Sequence, residues 1–241
     1  MKTPEPKYRH EFKYLISAGQ LPLLKARVAP ILKPDPHAGE DGTYTIRSLY
    51  FDDYYDRCYY ENENGTDPRE KFRIRIYNHS SAKISLECKR KDHGKTLKTS
   101  CPLSVEQTRL LMQGKPIPEA SVTHPLQRKL NLEIMTRMMQ PKVIVEYERI
   151  PFIYRNGNVR VTFDLNVSSS SDIDLFLSEK LPKRPVMPVG QHLMEVKFDE
   201  YLPDFIYRNL NLGVLQHTAY SKYYLCRKFA LHKQEDNHDI F

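Results

Sequence analysis

The stretch KFRIRIY at 71–77 alternates cationic and apolar side chains at every step. In a β-strand, side chains two residues apart lie on one face at ~6.7 Å, so Lys71, Arg73 and Arg75 would share a face. The apolar residues between them would share the other. Two unit charges at ~6.7 Å repel by ~2.5 kcal/mol at an effective dielectric constant of ~20. Such a row therefore needs an anion if it is enclosed, whereas on an open sheet face it needs only solvent.

Several other segments repeat this alternation. HEFKYLI places Glu11 and Lys13 on one face, and ISLECKRK places Glu87, Lys89 and Lys91 on one face. Four further segments add Lys98, then Tyr147 and Arg149, then Arg160, Thr162 and Asp164, and finally Glu195 and Lys197. A solvated face would use Thr, Ser and Gln more freely and intersperse its charges. Periodicity alone nevertheless leaves open whether this is a functional or a solvated surface, and whether the sheet is open or closed.

The composition is that of a folded protein with anionic partners. The chain has 241 residues, of which 40% are hydrophobic and 28% charged, with a formal net charge of +7 and a pI near 9.1. Nucleic acid, phosphorylated small molecules and an anionic membrane surface all fit this charge. The four cysteines form no CxxC pair, which indicates neither a zinc site nor a disulfide framework. Because no signal-peptide pattern or long apolar run occurs, we expect a cytoplasmic protein.

The pattern of segments predicts an α+β protein. Strands are predicted near 8–16, 43–51, 70–78, 83–91, 95–103, 142–154, 158–166 and 191–199. Capping boxes at Ser17/Gln20 and Ser104/Gln107 predict two helix starts. A third helix is predicted by Leu126, Leu130, Ile134 and Met138, which recur every four residues, and a fourth by SKYYLCRKFALH near the C-terminus. We therefore expect a large antiparallel sheet whose apolar face is covered by helices.

Arginine and glutamate together suit phosphate chemistry. The guanidinium fork binds phosphate oxygens with two hydrogen bonds and keeps its charge at working pH. Carboxylates scattered among cations make sense if they hold Mg²⁺ or Mn²⁺, which bridge protein oxygens to phosphate oxygens. Phosphoryl transfer needs positioning, a metal ion and cations around the transferred group, and little else from the protein.

Eight segments in order then resemble a known family. They are EFKY (11–14), SLYFDD (48–53), REKFRIRIY (69–77), LECKRK (86–91), YER (147–149), VRVTFD (159–164), EVKF (195–198) and SKYY (221–224). This order resembles the VTC domain, the polyphosphate polymerase domain of the vacuolar transporter chaperone complex, within the triphosphate tunnel metalloenzyme (CYTH-like) superfamily. The resemblance covers about 8–230 and implies one domain over 1–241. It also implies a closed, eight-stranded antiparallel β-tunnel with helices packed on its outside.

The resemblance also implies roles for single residues. Lys13, Arg73, Arg75 and Lys89 would grip a triphosphate, Arg149, Arg160 and Lys222 would continue the basic path, and Tyr147 and Ser221 would donate hydrogen bonds. Glu195 would be the principal ligand of Mn²⁺ or Mg²⁺, with Glu11 and Glu87 as weaker ligands. Lys71, Lys98 and Lys197 share the charged face and are expected to bind substrate. The family pattern predicts a second basic pair near 98–100, but only Lys98 is present, followed by Thr99 and Ser100.

The predicted activity is metal-dependent transfer of the γ-phosphoryl group of ATP to a growing inorganic polyphosphate chain. Hydrolysis of triphosphate or tripolyphosphate in the same tunnel is an alternative, and so is a binding module that senses polyphosphate or inositol phosphates without turnover. Nucleic-acid binding is disfavoured, because the carboxylates would repel the backbone and no RNP-like aromatic pattern occurs. We expect no direct insertion into a membrane, so export of the product would need a separate membrane protein.

Overall fold

The computed structural model describes residues 7–236, and most of this range lies in strands and helices. The strands are β1 (His10–Ser17), β2 (Lys33–Pro34), β3 (Tyr44–Asp52), β4 (Arg69–Tyr77), β5 (Ser80–Asp92), β6 (Lys95–Leu103), β7 (Gln140–Tyr154), β8 (Val159–Ser170), β9 (Arg184–Pro185) and β10 (Gln191–Phe198). The helices are α1 (Gln20–Val28), α2 (Arg57–Glu63), α3 (Val105–Met112), α4 (Pro125–Arg137), α5 (Asp204–Asn209) and α6 (Lys222–Asp236), with 3-10 turns at Glu119–Ser121, Asn156–Asn158 and Ile173–Leu175. All eight predicted strands are present.

The strands form one antiparallel sheet in the order β1-β10-β8-β7-β3-β4-β5-β6, with β2 beside β7 and β9 beside β8. The prediction of an α+β fold with a large antiparallel sheet is therefore confirmed. The register places Arg73 opposite Tyr50 of β3 and Glu87 of β5, and Arg75 opposite Ser48 of β3. Because paired residues point to the same side, the charged rows of neighbouring strands fall on one face.

This sheet curls strongly. β1 and β5 are six places apart in the strand order, so a flat sheet would separate them by about 29 Å. Instead, the Lys89 Nζ atom of β5 lies 2.7 Å from a carboxylate oxygen of Glu11 on β1. Within residues 7–236, the outer edges of the sheet meet through one isolated bridge, between Arg9, which precedes β1, and Thr96 of β6. The predicted closed barrel is thus corrected to an open tunnel, because a single bridge replaces the continuous ladder that full closure requires.

Apolar side chains on the other face of the sheet form two buried core clusters. Phe72, Ile74 and Leu86 pack there against residues of α3 and α4. Val161 and Val196 lie in a second cluster, which is covered by α1 and α5. Burial of each such side chain contributes about 1.5–3 kcal/mol. The alternation of charged and apolar side chains along the strands therefore fixes which side of the sheet the outer helices cover.

Helices α6 and α2 differ from the prediction that all helices pack on the outside. Tyr223 and Cys226 of α6 and Tyr59 of α2 are buried in one cluster with Val143 and Val145, which belong to the same face of β7 as Arg149. The Tyr223 hydroxyl donates to the buried carboxylate of Asp52. This helix covers the charged face because its first turn carries apolar groups and a lysine that fit there, and the prediction for its position was wrong.

Local signals at the helix ends were predicted well. The reciprocal hydrogen bonds predicted at Ser17/Gln20 and at Ser104/Gln107 both form, and the second pair caps α3. Ser17 is a correction, since it ends β1, and α1 begins at Gln20 with Gly19 as its N-cap. Met138 is a correction: it follows α4 in a left-handed conformation and is 53% exposed, so the buried stripe of that helix ends before it. No helix among residues 7–236 combines the length and the apolar character needed to cross a membrane.

Candidate active site

The predicted site residues converge on the inner side of the curled sheet, which we call the charged face. Its cations are Lys13, Lys71, Arg73, Arg75, Lys89, Lys98, Arg149, Arg160, Lys197 and Lys222, and its central carboxylates are Glu11, Glu87, Asp164 and Glu195. Strand alternation supplies all of these except Lys222, which enters from α6. Cations outnumber the central carboxylates, so the face carries unbalanced positive charge that a polyanion would neutralise.

Glu87 organises one side of the charged face. Its carboxylate lies 2.6 Å from the Arg73 guanidinium, 3.0 Å from Lys98 Nζ and 3.7 Å from Arg75 Nη1. Burial alone would raise the pKa of Glu87, but these three cations outweigh burial and hold the pKa well below its ordinary value. Glu87 is therefore ionised and already fully engaged by cations.

Arg75 is held more loosely than Arg73. The Arg73 guanidinium also donates to the Tyr50 hydroxyl at 2.8 Å. The contacts of Arg75 are long, at 3.4 Å to Ser48 Oγ and 3.5 Å to the Tyr147 hydroxyl. Yet Arg75 is buried, with 7% of its surface exposed. A buried guanidinium with weak hydrogen bonds has donors available for a ligand.

A second cluster joins β1, β5 and β10 across the tunnel. Both carboxylate oxygens of Glu11 accept from Lys89 Nζ, at 2.9 and 2.7 Å, and Lys13 Nζ lies 3.4 Å away. Burial raises the pKa of Glu11, but Lys89, Lys197 and Lys13 together lower it well below its usual range. Burial lowers the pKa of Lys89 to about 7, against the opposing pull of Glu11. Lys89 therefore titrates near neutral pH.

The most deeply buried network lies where α6 meets β7, β8 and β10. Arg149 makes two hydrogen bonds to Asp164, at 2.6 and 2.7 Å, so Asp164 orients this arginine. Lys222 Nζ lies 2.6 Å from Asp164 and 2.7 Å from Glu195. Lys197 Nζ approaches the other oxygen of Glu195 at 2.7 Å.

The charges of this network depend on one another. Burial disfavours the charged form of Lys222, yet Asp164 and Glu195 overcome it and raise the pKa of Lys222 far above its normal value. Burial likewise raises the pKa of Glu195, while Lys197, Lys222, Lys13 and Arg149 lower it well below normal. Lys222 and Glu195 are therefore both charged at neutral pH, which fixes the start of α6 against the sheet.

The remaining predicted residues line the rims of the charged face. Arg160 is tied down, since its guanidinium contacts the Tyr44 hydroxyl at 2.6 Å and Asp35 at 2.7 Å. Lys71 Nζ donates to Asn62 Oδ1 at 3.1 Å, and burial lowers its pKa to about 8. The Ser221 oxygen accepts from the Tyr224 amide at 3.3 Å and caps α6, while the predicted donation by its hydroxyl to a substrate stays a prediction.

The predicted metal ligands are not gathered into a preformed site. Among residues 7–236, no three Asp, Glu, His or Cys side chains lie close enough together to hold a metal ion. Glu195 nevertheless faces Thr162 across the strand pair, and within the same range the buried Thr162 Oγ1 atom has no hydrogen-bond partner. A carboxylate and a hydroxyl oxygen fit Mg²⁺, which often takes one or two carboxylates and completes its shell with substrate phosphates and water.

Several residues of the charged face were not assigned roles from the sequence. Tyr44, Ser48 and Tyr50 of β3 contact the guanidinium groups of Arg160, Arg75 and Arg73. Their alternation in YTIRSLY was available as a signal, but without charged residues it did not stand out. Asp35 lies in a proline-bearing loop, where no periodicity could show that it reaches the tunnel.

Comparisons with known proteins identify the family of this chain and a solved structure of similar fold. The family model described as VTC domain matches residues 8–231. No curated protein matches the chain at a significant level. A candidate adenylate cyclase from Bacillus halodurans superposes with a TM-score of 0.50 at 16% identity, covering 86% of this chain and 88% of that one. The PH1819 protein from Pyrococcus horikoshii OT3 gives 0.47 at 14% identity, covering 90% and 97%. The first likeness supports the fold of the curled sheet.

Proposed function

The chain belongs to the VTC domain family, and on that premise we propose that it is a polyphosphate polymerase. It would move the γ-phosphoryl group of ATP onto the end of an inorganic polyphosphate chain, within one domain whose core spans about 8–230. Membership of the family and the tunnel-like fold support an enzyme of polyphosphate metabolism. The transfer reaction, its metal dependence and the roles of single residues are the proposal.

The observation that carries the proposal is the excess of cations on the inner side of the curled sheet. Arg73 and Arg75 occupy successive inward positions of β4, while Lys13, Lys89 and Lys197 approach from β1, β5 and β10. A linear phosphate chain carries negative charge along its whole length and so matches a face whose cations are distributed over several strands.

The chemistry requires little covalent participation from the protein. A terminal phosphate oxygen of the acceptor, already ionised, attacks the γ-phosphorus of ATP. The bond from that phosphorus to the bridging oxygen breaks, and ADP leaves with the electron pair. Arg75 and Arg73 would donate to the equatorial oxygens, where charge spreads in the transition state. No side-chain base is needed, consistent with the full engagement of Asp164 and Glu87 by cations.

A divalent ion would be held by Glu195 and Thr162 together with the phosphates. When bound, Mg²⁺ or Mn²⁺ would neutralise part of the phosphate charge. Lys197, which contacts Glu195 at 2.7 Å, would then be available to the phosphate chain, whereas Lys222 would keep its contact with Asp164 at 2.6 Å. This exchange of partners would let Lys197 serve the free and the substrate-bound protein.

Hydrolysis of triphosphates is the second candidate, because the open tunnel favours access of water. The seam between β1 and β6 is bridged at Arg9 and Thr96 within the described residues, which leaves the reacting phosphate less sealed than a full ladder would. Water in place of the acceptor oxygen would release free phosphate.

One experiment separates these reactions. The purified protein is incubated with ATP and Mn²⁺, and the products are followed by phosphorus NMR. Growth of the internal-phosphate signal of long chains supports polymerase activity, and free phosphate as the sole product indicates a hydrolase. Unchanged ATP with measurable polyphosphate binding would contradict both activities and indicate a binding module.

A further inference from the structure

A charged cavity of about 360 Å³ lies outside the tunnel, between α2, α4 and the start of β4. Five cations line it: Arg57, Arg69, Arg90, Lys129 and Arg137. Three carboxylates, those of Glu61, Glu70 and Glu133, also line it. The cavity is therefore basic overall. None of these residues belongs to the charged face as defined above, so the cavity has no role in the chemistry described there.

The cation row of β4 ends beside this cavity. Arg75, Arg73, Lys71 and Arg69 occupy alternate positions of the strand and so point to the same side of the sheet. The row spans three intervals, or about 20 Å. Its innermost members contact Glu87 in the tunnel, whereas Arg69 lines the cavity together with Glu70, Phe72 and Arg90, which point to the opposite, helix-covered side. An anionic chain laid along this row would therefore turn around the start of β4 at Arg69 to reach the cavity.

Arg69 has donors available for a ligand. Its guanidinium donates to the Thr66 carbonyl at 2.6 Å, and within residues 7–236 it forms no ion pair. Arg57, in contrast, already faces three carboxylates: its Nε atom lies 3.5 Å from Asp53 and 3.7 Å from Glu61, and its Nη2 atom lies 3.5 Å from Glu133. A guanidinium that lacks a carboxylate partner can donate to phosphate oxygens, so Arg69 is the contact that a bound anion would use first.

We propose that this cavity is a second binding site for linear polyphosphate, which holds the part of the chain that emerges from the tunnel past Lys71 and Arg69. The proposal rests on the proposed function for the origin of the chain, and it assigns the direction in which the product leaves. Lys129, 43% exposed at its side chain and 2.5 Å from Glu70, would exchange that carboxylate for phosphate oxygens.

The prediction that follows concerns chain length. Tripolyphosphate is too short to reach from the charged face to the cavity, whereas a long chain occupies both. Removal of a cavity cation should therefore weaken the binding of long polyphosphate and leave tripolyphosphate unaffected. The two affinities then report on the cavity and on the tunnel separately.

The test compares Lys129→Glu with Arg128→Glu, its neighbour in α4. Arg128 pairs with Glu119, is 61% exposed and does not line the cavity, so the control has the same change of charge. Binding of labelled long polyphosphate is measured by fluorescence anisotropy, and tripolyphosphate by calorimetry. We expect Lys129→Glu to weaken long-chain binding by at least about tenfold and Arg128→Glu to weaken it little, with tripolyphosphate unchanged in both. Arg137→Glu provides a second cavity variant if Lys129→Glu is unstable.

Three results would overturn the proposal. They are equal losses for Lys129→Glu and Arg128→Glu, equal losses for long and short chains, or equal competition by a single-stranded oligonucleotide of matched charge. A selective loss of long-chain binding in a protein that does not turn over ATP would retain the cavity site and remove the polymerase assignment.

Discussion

Replacement of Arg75 by glutamine should separate activity from stability. Arg75 is buried on the charged face but makes its hydrogen bonds at 3.4 and 3.5 Å, near the limit of useful geometry. Its main role would therefore be to bind the transferred phosphoryl group. Loss of one preorganised donor of this kind typically lowers turnover by about 10²–10³.

The effect on stability follows from two opposing charge terms. At an effective dielectric constant of ~20, the attraction between Arg75 and Glu87, 3.7 Å apart, is ~4.5 kcal/mol. Repulsion by Arg73, ~6.7 Å along the strand, offsets ~2.5 kcal/mol of it. The difference is ~2 kcal/mol, and glutamine also avoids the cost of burying a guanidinium. We therefore expect the free energy of unfolding to fall by less than about 2 kcal/mol.

Arg149→Gln is the matched control within the same face. Arg149 makes two short hydrogen bonds to the fully buried Asp164, so its loss should destabilise the protein by about 3–5 kcal/mol. Phosphorus NMR gives turnover and urea titration gives the free energy of unfolding. Wild-type turnover in Arg75→Gln, or a stability loss as large as that of Arg149→Gln, would refute the distinction between a ligand-binding and a structural arginine.

Three further predictions concern pH, metal and the outer face. Burial lowers the pKa of Lys89 to about 7 and bound phosphate favours its charged form, so tripolyphosphate binding should take up a proton and weaken as pH rises from 7 to 9. In Lys89→Arg, where the charge persists, the affinity measured by calorimetry should depend less on pH, and identical pH profiles would count against the role of Lys89. Removal of divalent ions with EDTA should abolish turnover, and Glu195→Gln should lose reactivation by Mn²⁺ yet bind metal-free tripolyphosphate more tightly, since Lys197 loses its counterion while Lys222 keeps Asp164. Normal reactivation of a folded Glu195→Gln protein would remove Glu195 as a ligand. Arg47→Met should cost about 1.5–3 kcal/mol in urea titration, since buried Arg47 pairs with Glu146 at 2.5 Å and donates to the Phe176 carbonyl at 3.0 Å, while Lys183 keeps its contact with Glu146. A loss below about 1 kcal/mol would contradict that estimate.

Most of what could be predicted about the site came from the alternation of side chains along the strands. A period of two is set by backbone geometry, so the sides occupied by Arg73, Glu87 and Glu195 could be read from the sequence alone. The reciprocal hydrogen bonds at Ser17 and Ser104 were equally local and equally visible. Short segments therefore determine by themselves which side of the sheet each of their side chains faces.

The curvature of the sheet and the contacts between residues far apart in the chain could not be predicted from local patterns. The approach of Lys89 to Glu11 depends on the summed twist and coiling of the intervening strands, which no segment encodes alone. The position of α6 on the charged face depends on the pairing of Tyr223 with Asp52, far apart in the chain. Asp35 and Asn62 reach the site from a loop and a short helix, where no periodic pattern marks them.

Crystallographic location of tripolyphosphate bound to this protein would test the central claim most directly. Phosphorus atoms should lie on the inner side of the curled sheet, with phosphate oxygens within hydrogen-bond distance of Arg73 and Arg75 on β4 and of Lys13 or Lys89 opposite. Tripolyphosphate bound on the helix-covered outer side, with the inner cations still paired to Glu87 and Glu11, would contradict the account.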